Sequence, residues 1–99
     1  MHRAPPAWSL IDFGKRLDSW SLADNPSDDL RLIVTAWAVT RFDDPYQGMH
    51  REPNFDNLWY GTVPGTYDGH TSIVCCSYWI LETDHTVRCN QFATLSLPV

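Results

Sequence analysis

The sequence predicts an α+β fold in which a helical hairpin packs on one face of a three- to four-stranded antiparallel sheet. Apolar residues recur at helical spacing in the first half of the chain, whereas the last third is rich in β-branched and aromatic residues. Short turn-rich segments join the predicted strands, and strands joined in this way pair as an antiparallel meander. Helices then cover one face of the sheet. At 99 residues, the chain is expected to form one domain over residues 1–99.

The amino-terminal part is expected to be an irregular arm followed by a helix. Residues 1–7 contain two adjacent prolines, which do not fit a regular element. From residue 8 onward, apolar side chains recur at helical spacing: Leu10, Phe13, Leu17 and Trp20. This is the first helix of a hairpin that spans residues 8–43. A strand over residues 8–13 is the alternative reading, and the sequence leaves it open.

The second helix has a clear beginning and end. Ser27 is a favourable N-cap, and the two aspartates that follow it suit the positive end of a helix dipole. Its apolar positions are Leu30, Ile33, Val34, Trp37, Ala38 and Phe42. Arg41 is predicted in the last turn, where a cation is favourable, and Asp44 stands before Pro45, which disfavours helical geometry.

Three strands are predicted over residues 57–97, after a loop at residues 45–56. The first covers residues 57–63, and the other two, residues 73–82 and 87–97, form a hairpin around a tight turn. Pairing Thr83 with Thr86 divides the hairpin into two faces. The predicted core face carries Val74, Cys76, Tyr78, Ile80, Val87, Cys89, Ala93 and Leu95, with Gln91 and the end residue Glu82 as its polar exceptions. The opposite, mixed face carries Ser77, Trp79, Leu81, Arg88, Asn90 and Phe92.

Charge and cysteine usage argue against several functions. A net charge of −5 with scattered basic residues disfavours binding to nucleic acid or the ribosome. Three cysteines without a C-x-x-C spacing give neither a disulfide framework nor a zinc site, so we expect a cytoplasmic location. Two of them, Cys76 and Cys89, are predicted in the core. No cofactor, no metal and no membrane segment is expected from the sequence.

The order of the predicted elements resembles the RelE/ParE superfamily of bacterial toxins. The residues that carry the resemblance are the helix ending at the Asp44-Pro45 pair and the three strands that follow. It implies a cytoplasmic toxin that inhibits translation or a gyrase-type target, with an antitoxin protein as partner. It also implies endoribonuclease activity, although the sequence leaves open whether this chain is an enzyme. Tyr78 occupies the aromatic position of the family, and Trp79 stands where an arginine would be expected.

Cleavage of RNA would require a proton acceptor, a cation for the phosphate and an aromatic ring that stacks on a base. The candidate catalytic residues are Arg88, His85 and Tyr78. The candidate residues for binding substrate or partner are Trp79, Asn90, Phe92 and Arg51. The alternative function is a non-catalytic protein-interaction module of the same fold, which binds a protein partner through the face of Trp79 and Phe92. The sequence also leaves open that Trp79 and Phe92 pack under the amino-terminal arm or in the interface of a homodimer.

Overall fold

The computed structural model describes residues 7–97, which form two helices and one sheet. The predicted arm therefore lies, except for Ala7, outside the described residues. In chain order the elements are β1 (Ser9–Ile11), α1 (Phe13–Asp24), α2 (Asp28–Thr40), β2 (His50–Arg51), β3 (Leu58–Thr62), β4 (Ser72–Leu81) and β5 (Thr86–Ser96). This arrangement confirms the α+β class and the order of two helices followed by the three main strands.

The sheet has five strands in the order β1-β5-β4-β3-β2 and is mixed. β1 runs parallel to β5, with Leu10 opposite Val87, and the other neighbouring pairs are antiparallel. The prediction of a purely antiparallel sheet of three to four strands is therefore wrong. The two additional strands are the short edges, of three and two residues, and segments this short show no recognisable alternation of apolar and polar residues.

The segment that allowed two readings contains both a strand and the start of a helix. Residues 9–11 pair with β5, and Asp12 then adopts a left-handed conformation with φ of 65°. This residue turns the chain out of the sheet and into α1. Phe13 and Trp20, two of the predicted apolar positions, are buried.

The N-cap predicted for α2 is confirmed. The Leu30 backbone N–H donates a hydrogen bond to Ser27 Oγ at 3.2 Å, and Asp28 and Asp29 occupy the first turn. At the other end, the carboxylate of Asp44 accepts a hydrogen bond from the Tyr46 N–H at 3.0 Å. This bond stabilises the turn that leads the chain away from the helix.

The pairing of β4 with β5 differs from the predicted register. Leu81 pairs with Thr86, so the connecting loop has four residues, and a β-bulge between Ser77 and Tyr78 leaves Asn90 as an extra residue. Near the loop, the predicted pairing differs from the observed pairing by two residues. A shift of two keeps each side chain on the predicted side of the sheet. Beyond the bulge, the two pairings differ by one residue, and this shift moves the side chains of β5 to the opposite side of the sheet.

This shift exchanges residues between the two faces of the hairpin. Phe92, predicted on the mixed face, is only 5% exposed and lies in the core. Ala93 and Leu95, predicted in the core, point to the other side, and Leu95 is 45% exposed. Gln91, also predicted on the core face, is exposed and lies opposite Ser77 on the other side. The remaining six apolar residues of the predicted core face are all buried: Val74, Cys76, Tyr78, Ile80, Val87 and Cys89.

Both helices pack against one side of the sheet, which we call the inner face. On β4 and β5 its residues are Val74, Cys76, Tyr78, Ile80, Val87, Cys89, Phe92 and Thr94. The ring of Phe13 in α1 lies 5.9 Å from that of Tyr78, and Trp37 in α2 lies 6.4 Å from Phe92. The Trp20 indole N–H also donates to Thr94 Oγ1 at 2.9 Å. The aromatic side chains of both helices therefore form the core together with the inner face.

Candidate functional site

The opposite side of the sheet, which we call the outer face, carries no helix among the described residues. On the three central strands its residues are Leu58, Tyr60 and Thr62 of β3, Ile73, Cys75, Ser77, Trp79 and Leu81 of β4, and Thr86, Arg88, Asn90, Gln91, Ala93 and Leu95 of β5. Arg88 is the charged side chain in this set. An uncovered sheet face that is mostly apolar is a candidate surface for binding another molecule.

Trp79 lies on the outer face of the central strand β4, near the carboxyl end of that strand. The strand registers place Leu58 on one side of it and Arg88 on the other. Phe55, from the loop between β2 and β3, packs edge-on against Trp79 with ring centroids 5.8 Å apart. Phe55 itself is 49% exposed, whereas Trp79 is half-buried. The indole is therefore held in place by its neighbours while part of it still meets solvent.

Asn90, the extra residue of the bulge, is also directed to the outer face. Its side-chain amide donates a hydrogen bond to Ser77 Oγ at 2.9 Å. Because the bulge places both Asn90 and Gln91 on this side, β5 presents two amide groups beside Arg88. Amide and guanidinium groups bind backbone carbonyls and carboxylates of a partner, and Trp and Arg are enriched among the residues that dominate binding energies.

Tyr78, a candidate catalytic residue, is fully buried on the inner face. Its hydroxyl donates a hydrogen bond to the carbonyl of Pro45 and accepts one from Arg41 Nη1 at 3.4 Å. Burial raises the pKa of Tyr78 to about 12, and the nearby Arg41 only partly opposes this effect. The hydroxyl is thus neutral at ordinary pH and has no contact with solvent, a position that suits a structural role.

His85 lies at the end of the sheet, in the loop between β4 and β5. It adopts a left-handed backbone conformation with φ of 54°, and its ring stacks on Trp8 at 3.8 Å. Its carbonyl accepts a hydrogen bond from the Ser9 N–H at 3.0 Å. His85 therefore helps to attach β1 to the end of the hairpin.

Arg51 and Arg88 do not meet. Arg51 lies in the edge strand β2 opposite Trp59, and Trp59 shares the inner-face side of the sheet with Tyr78. Arg88 lies on the outer face of β5, and three strand spacings, roughly 14 Å, separate the two strands. The predicted site residues therefore divide between the two faces, and only Trp79, Arg88 and Asn90 share one surface.

Arg41 is the polar residue whose environment the sequence did not indicate. Predicted in the last turn of the second helix, it is only 3% exposed, and Arg is among the residues least often buried. Its guanidinium donates hydrogen bonds to the Gln47 carbonyl at 2.7 Å and to Thr40 Oγ1 at 2.9 Å, and it lies 4.4 Å from the Trp37 ring. Within residues 7–97 it makes no ion pair. Arg41 thus connects the end of α2, the following loop and Tyr78 through neutral acceptors.

An open cavity of about 460 Å³ lies next to Arg41. It is lined by Trp37, Thr40, Arg41, Gln47, Gly48, Thr62 and Pro64. The guanidinium of Arg41 already donates to protein acceptors. A molecule in the cavity would therefore contact mainly residues of α2 and of the loop that follows it. In the part of the chain that the structure describes, no three His, Cys, Asp or Glu side chains are grouped as metal ligands. No helix within residues 7–97 is long and apolar enough to cross a membrane.

Comparisons of this chain with models of known protein families, with curated proteins and with solved structures find no match.

Proposed function

We propose that this chain is a non-catalytic protein-interaction module that binds a partner protein through the outer face of its sheet. The observation that carries this proposal is the position of Trp79, partly exposed between Leu58 and Arg88 on a face that the described helices leave uncovered. An apolar centre surrounded by polar groups is the usual composition of a protein-binding surface. The expected cytoplasmic location agrees with three free cysteines.

The distribution of the other candidate residues supports binding over catalysis. The hydroxyl of Tyr78 is enclosed in the core, His85 stacks on Trp8, and Arg51 lies on the other side of the sheet from Arg88. A general acid or base must lie within hydrogen-bond reach of the reacting group. None of the strand residues beside Arg88 on the outer face is a general acid or base. Trp79, by contrast, is positioned to act as an anchor for a partner.

Site-specific photo-crosslinking in the organism that encodes the chain tests this proposal. A photoreactive amino acid at Tyr60 or Leu81 samples the outer face, and one at Tyr67, an exposed loop position, is the matched control. We expect a cross-linked partner protein from the first two positions and none from the third. A product of twice the mass of the chain would instead identify a homodimer. Absence of any product, or equal yields at all three positions, would contradict the proposal.

A toxin of a RelE/ParE-like pair is the second candidate function, and the order of the elements favours it. Two helices precede an antiparallel meander, and α2 ends shortly before Asp44-Pro45. In this case the partner is an antitoxin, and the outer face contacts the target of the toxin. Expression of the chain alone in bacteria should then stop growth, and Arg88→Ala or Trp79→Ala should restore it. Normal growth of cells that contain the folded chain would remove this candidate.

A further inference from the structure

Helix α2 carries an apolar stripe that no described element covers. Leu32 is 69% exposed and Val39 is 63% exposed, and Ala36 lies between them and is also exposed. Residues 32, 36 and 39 follow the spacing that aligns side chains along one side of a helix. The side of α2 that faces the core instead carries Val34 and Ala38. A single exposed leucine is ordinary, but an aligned row of apolar side chains at the surface is characteristic of an interface.

Acidic residues stand at both ends of this stripe. Asp28 and Asp29 occupy the first turn of α2, and Asp43 and Asp44 are exposed in the turn that follows its last residue. Asp28 and Asp43 are 15 positions apart, which corresponds to roughly 22 Å along a helix. Arg31, the basic residue within α2, already pairs with Asp28 at 3.1 Å. The stripe is therefore apolar in the middle and negative at each end.

The negative charges at both ends of the stripe determine which kind of molecule can bind there. In an antiparallel pair of two α2 helices, the aspartates of one end would lie against those of the other end. In a parallel pair, the aspartates at each end would lie against the same aspartates of the second copy. Both arrangements bring like charges together, so a second copy of this chain is disfavoured. Basic residues at the same spacing would instead meet an acidic end on each side, where Asp29 and Asp43 add to the Asp28–Arg31 pair and to Asp44.

We propose that the stripe of α2 binds an amphipathic helix of a partner protein that has an apolar face and Lys or Arg residues about four turns apart at its ends. The docking mode is helix against helix, with anchors at spacings of three and four residues. Because α2 packs on the inner face, the stripe points away from the outer face on the opposite side of the sheet. The two surfaces can be occupied at the same time, so this proposal does not depend on the partner of the outer face.

Fluorescence anisotropy with two synthetic 18-residue helical peptides provides the test. Both peptides carry the same leucine stripe; one has Lys at both ends and the other has Glu at the same positions. We expect the basic peptide to bind at least tenfold more tightly than the acidic one and to weaken with added salt. The double change Leu32→Asn with Val39→Asn should weaken its binding by about tenfold or more, since each side chain contributes buried apolar area.

Two further variants separate this stripe from other surfaces. Trp79→Ala should leave binding of the basic peptide unchanged, which distinguishes α2 from the outer face. Asp28→Lys combined with Asp43→Lys should reverse the preference toward the acidic peptide. Equal affinity for both peptides, failure of the basic peptide to bind at millimolar concentration, or full binding by the Leu32 and Val39 double variant would overturn the proposal. Dimerisation that is lost in that double variant would also overturn it, in favour of a second copy.

Discussion

At the scale of single residues, the hydroxyl of Tyr78 connects three parts of the molecule. It extends from the centre of β4 to the carbonyl of Pro45 and also accepts a hydrogen bond from Arg41, at the end of α2. Both the hydroxyl and Arg41 are buried, so neither can replace this contact with water. Breaking it leaves polar groups unsatisfied in the core, which costs more than the loss of an exposed hydrogen bond.

Tyr78→Phe should therefore lower the free energy of unfolding by about 1–3 kcal/mol, because a buried carbonyl loses its donor. Tyr67→Phe is the matched control, since the hydroxyl of Tyr67 bonds the His70 carbonyl at an exposed site. This control should change stability by less than about 0.5 kcal/mol. Urea denaturation followed by circular dichroism measures both values, and equal effects of the two changes would contradict the structural role of Tyr78.

The raised pKa of Tyr78 also predicts a dependence of stability on pH. Burial raises this pKa to about 12, whereas tyrosine in an unfolded chain titrates near 10. Below pH 10 the hydroxyl is protonated in both states, so its contribution to stability is constant. Between pH 10 and 12 only the unfolded state loses the proton, and stability falls as pH rises. Denaturation at pH 9, 10 and 11 should show a smaller decline in Tyr78→Phe than in the natural chain; parallel declines would refute this assignment.

The three thiols should differ in reactivity. Cys76 and Cys89 are buried, and Cys75 is half-buried on the outer face. Burial raises the pKa of the Cys75 thiol and raises that of Cys76 well above its usual value, which lowers the fraction of reactive thiolate. We expect iodoacetamide to modify Cys75 slowly in the folded chain, and to modify the other two only after unfolding. Mass spectrometry counts the adducts, and rapid modification of two or more thiols in the native state would contradict this arrangement.

At the scale of elements, the bulge in β5 decides which residues form the core. Alternation in the sequence correctly placed Val74 and Ile80 inside and Trp79 outside, since the extra residue lies in β5 and β4 alternates without interruption. The extra residue Asn90 has no clear sequence signal, because neither glycine nor proline marks it. The predicted side of the sheet was therefore wrong for the residues of β5 from Gln91 onward. By contrast, α2 was predictable from Ser27 to the Asp44-Pro45 pair, since its cap and stop are local features.

Two single-residue deletions test the bulge. Deleting Asn90 leaves Cys89 and Phe92 facing the core, so we expect a loss of about 1 kcal/mol from the hydrogen bond to Ser77. Deleting Ala93 instead moves Thr94 to the outer face and removes the acceptor of Trp20, at a cost of about 1–3 kcal/mol beyond that of the first deletion. Thermal denaturation compares the two, and greater damage from the loss of Asn90 would contradict the observed register.

At the scale of the whole molecule, the helices and strands that the structure describes leave two surfaces uncovered, on opposite sides of one core. The outer face of the sheet centres on Trp79 and Arg88, and the stripe of α2 contains Leu32 and Val39. The sequence indicated the first surface because Trp79 alternates with buried neighbours. The sequence did not distinguish the stripe of α2 from the side of that helix that faces the core. The helix is apolar on several sides, and helical spacing alone does not show which side is covered. Nor did the sequence predict the mixed sheet, which depends on the short strand β1 pairing with the distant strand β5.

The affinity of the chain for the partner captured at the outer face tests the central claim most directly. Isothermal titration calorimetry with the purified partner should show at least a tenfold weaker complex for Trp79→Ala, because removal of a central aromatic anchor costs about 1.4 kcal/mol or more. Tyr67→Ala, at the exposed loop, should bind like the natural chain. Undiminished affinity of a correctly folded Trp79→Ala variant would contradict the assignment of the outer face as the binding surface.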